Sequence, residues 1–310
     1  MRHAIALLFL SVPVFGQGIT TAQQKALNSY VEYANQSADE VSAVVQSIIA
    51  YYPTIHQKKS WGVPRYTCPV QLEEYYLKNA RSQSGALSPA IATALNAKLT
   101  ALREASERVD EKCKALDTYH KLEDYKQDNY AKARSMIDEL QLLVVDYRKK
   151  QKSLQLELEN AHKKLTPSTP ESAYYKADYK MREEISREEA FLNSWSFNLK
   201  EEVHTGWPVE TLSQSILETD AHLIALKTMK PVLKYPASSM WSSFQESLGS
   251  ILTVKRSGLD EYNFEAKKSD KHSNDVYLSL INYFNGTLVA DHNTFVQFSD
   301  GDGYHGLKSI

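Results

Sequence analysis

Residues 130–165 read YAKARSMIDELQLLVVDYRKKQKSLQLELENAHKKL, without a proline or a glycine. Met136, Leu140, Leu143 and Tyr147 follow a 4-3-4 spacing, and Leu154, Leu158, Ala161 and Leu165 repeat it. That is the apolar stripe of one long helix with coiled-coil-like packing. Gln151 falls in the seam between the two runs, with a slip in phase there. At 1.5 Å per residue such a helix is about 50 Å long. An element of that length implies an elongated, all-α body.

The same periodicity extends outward. Before this stretch it predicts helices over about 21–52, 70–82 and 89–120; after it, over about 171–203, 209–229, 238–256 and 274–297. Thr21-Ala-Gln-Gln24 has the form of a capping box. Pro53 is expected to end the first helix. Ser88-Pro89 places an N-cap before a first-turn proline. The polar run from Glu123 to Asn129 breaks the pattern, Pro167-Ser-Thr-Pro170 forms a hinge-like break, and Gly206-Trp207-Pro208 stops a helix. The charged stretch 258–273 is left unassigned. No alternating apolar run is long enough for a sheet. The expected architecture is an antiparallel helical bundle over 17–298, with a sub-boundary near 166–170 and a turn-rich tail at 299–310.

The opening residues read as a secretory signal. Met1-Arg2-His3 is a short positive start, Ala4 to Phe15 is apolar, and Val14-Phe15-Gly16 offers a cleavage site before Gln17. Residues 1–16 are therefore expected to be removed on export, to the periplasm or beyond the cell. No later run reaches the roughly 20 apolar residues of a membrane-spanning helix. With 36 Lys plus Arg against 38 Asp plus Glu, no basic excess favours nucleic acid. Cys68 and Cys113 are the only cysteines, and an oxidising compartment favours a disulfide between them.

Two stretches carry a resemblance. One runs from Leu116 through Asp124-Tyr125-Lys126 to Ala131-Lys132-Ala133; the other is Leu280-Ile-Asn-Tyr-Phe-Asn285 with Leu288-Val289 and His292-Asn293. Both resemble the YiiG-like bacterial envelope proteins. The order of elements between them extends the likeness over most of the chain after residue 16. The resemblance implies an exported helical envelope protein, in some settings associated with the outer membrane, and no catalytic residue. Members are usually lipoproteins; this chain departs from them in having no cysteine just after its apolar start.

The chemistry-bearing residues are few. His120 with Glu123, and Glu218 with His222, stand one helical turn apart, but neither pair has a third ligand, so surface pairs are expected and no metal. Asp300-Gly-Asp302-Gly303 superficially matches a calcium loop but lacks the later glutamate, which favours an Asp-Gly turn. There is no nucleophile elbow and no phosphate-binding glycine loop. No cofactor and no enzymatic activity are expected. Trp61, Trp207 and Trp241 lie in or beside loops. With Arg65, Tyr66 and His204 they either form a recognition surface or plug the bundle ends. If successive long helices alternate in direction, the connections 53–69, 121–129 and 204–208 gather at one end. Cys68 then approaches Cys113, and Trp61, Arg65, Tyr66, His204 and Trp207 form one hypothetical site. The function expected is non-enzymatic: binding of a protein or envelope polymer, with self-association through helix faces open. The alternative is a small-molecule or saccharide module built on the loop aromatics.

Overall fold

A computed structural model describes residues 19–56, 66–69, 74–166, 172–195, 208–265 and 273–310. The described residues form helices and contain no strand. In chain order the helices are α1 (Thr21–His56), α2 (Glu74–Gln83), α3 (Pro89–Lys121), α4 (Tyr125–Asp128), α5 (Ala131–Leu165), α6 (Ala173–Trp195), α7 (Val209–Thr228), α8 (Ala237–Glu265), α9 (Ser273–Tyr283) and α10 (Ala290–Ser299). A π-helical turn, Phe284–Val289, joins α9 to α10.

Ion pairs between neighbours fix the directions. Arg108 of α3 meets Asp146 of α5 at 2.5 Å, and Lys112 meets Glu139, so α3 and α5 are antiparallel. Tyr30 of α1 donates to Asn96 of α3 at 2.8 Å and Tyr51 packs on His120, so α1 and α3 are parallel. Their stripes, with that of α5, form one continuous core: Leu27, Tyr30, Leu99, Leu102, Leu140 and Tyr147 are almost wholly buried in it. A second core gathers α6 to α10 around Met181, Trp195, Phe244, Leu248 and Phe295. The two clusters change over between Ala161 and Ala177. The chain thus has two helical halves, α1–α5 and α6–α10.

Cys68 and Cys113 are joined by a disulfide, with Cα atoms 5.4 Å apart. Around it the first half is closed by a column of rings: Tyr66 on Tyr51, Tyr51 on His120, His120 on Tyr125, and Tyr125 stacked on Tyr130, with successive centroids 4.9–5.4 Å apart. The α3–α5 turn holds Glu123, Asn129 and Tyr130 at positive φ. A tyrosine there is strained, and the parallel stack on Tyr125 offsets the strain.

Several boundaries differ from the sequence expectation. α1 passes through Pro53 and continues to His56, because Tyr51 and Ile55 on either side are buried in the first core. A missing hydrogen bond in the last turn costs less than exposing them. α8 runs nine residues beyond the expected 256, to Glu265. The charged stretch after 256 still carries apolar contacts: Leu259 and Tyr262 pack against the second core. Gly258 makes the crossing of α8 and α9 possible: a Cβ there would stand 2.6 Å from Val276 Cγ1. The last expected helix, 274–297, is interrupted by the π turn and ends at Ser299. Trp241, read as a loop aromatic, is buried within α8 in the second core. The 299–310 tail is no appendage either: Leu307 is buried in the first core, and Tyr304 lies against α6.

Candidate functional site

A concavity with converging polar groups lies between the two halves. α1 and α5 form one wall; α6, α9 and the π turn form the other, enclosing about 420 Å³. Six amide side chains line it: Asn35, Gln46, Gln151, Asn193, Asn285 and Asn293. Its charges balance, with Asp39 and Glu189 against Arg148 and Lys152. Lys152 bridges to Glu189 across the cleft at 3.0 Å, and Arg148 donates to Tyr277 Oη at 3.3 Å. Leu192, Tyr277 and Phe284 supply apolar surface. The π turn widens the helix where Phe284 and Asn285 face this space, and such turns recur at functional sites.

Two buried charge clusters flank the cleft. In the first, Asp178 of α6 is fully buried and accepts from His292 Nε2 at 2.8 Å, from Tyr304 Oη at 2.8 Å and from Arg182. Burial alone would raise its pKa. The Arg182 charge and the two other hydrogen bonds outweigh that and hold the carboxyl well below its usual range. This Asp-His pair has the look of a catalytic relay, but both residues are 0% exposed, so no substrate can reach it.

In the second, the Lys255 ammonium has three partners for its three protons: Glu188 at 2.6 Å, Ser215 at 2.7 Å and Thr219 at 2.9 Å. It also sits 4.4 Å from the Phe191 ring centroid. Burial pulls its pKa down, and the Glu188 charge offsets only part of that, so the net shift is downward. Ser215 lines an adjoining cleft of about 520 Å³, so a serine and a lysine stand in nucleophile–base distance beside open space. The chemistry stops there. The adjoining Glu188 carboxylate favours the protonated lysine. Ser215 is mid-helix, where backbone N–H groups are already bonded, so the backbone around it offers no oxyanion donor. The cluster is structural. Lys255→Met is expected to cost about 3 kcal/mol by leaving Glu188 buried and unpaired, and adding Glu188→Gln should restore part of that. Urea denaturation of the two variants checks both values.

Of the five residues expected to form a site, Trp61, Arg65, His204 and Trp207 lie outside the described residues. Tyr66 is described and is 5% exposed; its hydroxyl lies 3.3 Å from Cys113 Sγ. It plugs the end of the first half and presents nothing to a partner. The described ends of the 53–69 connection meet the 121–129 turn there, through Tyr66, Tyr51 and His120. The described end of α6 is elsewhere. Trp195 packs on Tyr277, which Arg148 contacts halfway along α5, about 25 Å from the start of that helix.

The two His-carboxylate pairs do not form. His120 is in the ring column while Glu123 pairs with Lys126; His222 turns to Glu184 and Arg187, while Glu218 accepts from Gln214. Among the described residues no three of His, Cys, Asp and Glu gather as a metal-holding group. Asp300 and Asp302 make a turn whose carboxylates are taken by His305, Tyr174 and Lys234. Among the described residues no helix is long and apolar enough to cross a membrane.

No family model matches the chain, and no curated protein matches it. Among solved structures it is similar to an alpha helical protein from Bacteroides fragilis, with 13% identity and a TM-score of 0.49, covering 86% of this chain and 99% of that one.

Proposed function

We propose that the chain is an exported, non-catalytic binding protein of the cell envelope that takes a neutral, polyhydroxylated ligand between its halves. A short stretch of envelope glycan has this chemistry. The observation that carries the reading is the amide lining of the cleft. A primary amide both donates and accepts, as a sugar hydroxyl does. Six of them line about 420 Å³, two of which (Asn35 and Asn293) also hold Ser309, around side-chain charges that sum to zero. Apolar patches beside such groups suit the C–H faces of a sugar ring. The signal-like residues 1–16 and the Cys68–Cys113 disulfide support export. The likeness to YiiG-like envelope proteins accords with it.

Calorimetric titration with glucose, N-acetylglucosamine and their β-linked disaccharides tests the reading. At least one should bind saturably, and Gln151→Leu with Asn285→Leu should weaken it about tenfold, or about 1.4 kcal/mol. Circular dichroism should show both variants as helical as the parent. No binding by any of these sugars, or binding indifferent to the two substitutions, overturns the reading.

A further inference from the structure

After the turn at Asp300–Asp302 the chain leaves helical structure and continues without regular secondary structure to Ile310. It lies in a groove between α1 and α10, with His162 of α5 3.2 Å from His305 O, and its main chain is held largely by side chains. The backbone N–H of Tyr304 bonds to Ser299 O, but the main-chain groups beyond it that have a described partner are gripped by side chains. Gln24 donates to Gly306 O at 3.2 Å. Asn28 accepts from Lys308 N at 2.9 Å and reaches Gly306 O at 3.5 Å. Asn35 donates to Ser309 O at 2.9 Å. Asn293, from α10, both donates to Ser309 O at 3.0 Å and accepts from Ser309 N at 2.6 Å. Gln24, Asn28 and Asn35 stand four and seven residues apart, which aligns them on one face of α1.

Amides paired with successive peptide groups read main chain, as in the capture of an extended peptide ligand. Side-chain selectivity comes from three further positions. Leu307 enters the first core, Lys308 pairs with Glu32 at 2.7 Å, and Gly306 lies so close to Tyr304 and Val296 that a Cβ would meet them at 2.8 and 3.2 Å. Tyr304 anchors the start on Asp178. Meanwhile the far end is loosely enclosed. Ile310 borders the 420 Å³ cleft on one side and another of about 580 Å³ on the other.

We infer that the groove between α1 and α10 is a main-chain-reading peptide site, and that residues 304–310 fill it as a displaceable ligand. The ligand class is an extended peptide with glycine, leucine and a basic residue in succession. Such a peptide from a partner competes with the chain's own segment. This inference does not depend on the saccharide reading.

The test uses the full chain with a specific protease site placed at Gly301, cut after folding. A fluorescent synthetic peptide of residues 303–310 is then added in excess. Expected is saturable uptake of one peptide per chain, release of an equal amount of the cut fragment, and an unchanged helical spectrum. Peptides with Gly306→Val or Leu307→Asp should be taken up at least about tenfold less well. The same loss is expected for the normal peptide on a chain carrying Asn28→Ala and Asn293→Ala. A fragment that never exchanges, a chain that loses its helix on cutting, or uptake indifferent to these substitutions overturns the inference. As a control against misfolding, the uncut Asn28→Ala, Asn293→Ala chain should show faster amide exchange at 304–310 alone; unchanged exchange there also counts against it.

Discussion

Replacing Asp178 by alanine is expected to remove about 4 kcal/mol of stability, within the range measured when one partner of a buried ion pair is deleted. The carboxylate is fully buried and serves three elements at once: Arg182 on its own helix, His292 on α10, and Tyr304 on the closing segment. Without it, a guanidinium loses its counter-charge and two donors lose their acceptor in the interior. The loss should fall on the second half and on the seating of 304–310. Asp178→Asn should lie between, since an amide keeps an acceptor for Tyr304 or His292 but not the charge that Arg182 needs. Equilibrium denaturation of both variants gives the ordering; an Asp178→Ala chain within about 1 kcal/mol of the parent would contradict it.

The same carboxylate sets an acid limb. Its folded-state pKa is depressed, so its contribution is fully present above the unfolded value of about 4. It is lost only as pH falls towards the depressed folded value. Other carboxylates should therefore protonate before this one gives way, and Asp178→Ala should flatten the stability profile at strongly acid pH.

Reduction of the Cys68–Cys113 bond is the second large effect. The bridge spans a sequence separation of 45 residues. Closing a loop of that length in the unfolded chain is worth about 4 kcal/mol in the chain-entropy model, with measured values often lower. Because the two halves have separate cores, the loss should appear in the unfolding of α1–α5 and leave the signal from α6–α10 little changed. Trp195 and Trp241 belong to the second core, so their fluorescence, read in a chain carrying Trp61→Phe and Trp207→Phe, gives the control. Denaturation with and without dithiothreitol, followed by that fluorescence and by circular dichroism, separates the two. Coincident shifts in both signals would mean that the halves unfold as one unit.

How much of this was legible can be judged from particular residues. The 4-3-4 stripes of 130–165 were enough for α5, and the Cys68–Cys113 pairing followed from compartment and topology. The helical interior was also readable in places that were passed over. Glu188 occupies a core position in the series Met181, Ile185, Leu192, Trp195, and Lys255 occupies one after Trp241, Phe244, Leu248 and Ile251. One lone charge on each of two apolar stripes, of opposite sign, is the signature of a buried pair. Leu259 and Tyr262 continue the α8 stripe through the charged stretch left unassigned. The role of the tail was less accessible. Its grip on the fold is made by amide side chains on main-chain groups, and those bonds leave no periodicity in sequence. The cleft was out of reach for a similar reason: its amides come from α1, α5, α6, the π turn and α10, far apart in the chain. Of the loop aromatics, Tyr66 and Trp241 are core, while Trp61 and Trp207 lie outside the described residues.

Hydrogen exchange across the whole chain, with and without saturating concentrations of the sugars named above, tests binding between the halves most directly. The account predicts protection appearing together in 35–46 and 147–152 of the first half and in 189–193 and 282–293 of the second. Protection confined to one half, or centred on the Tyr66–Cys68 end, would contradict it.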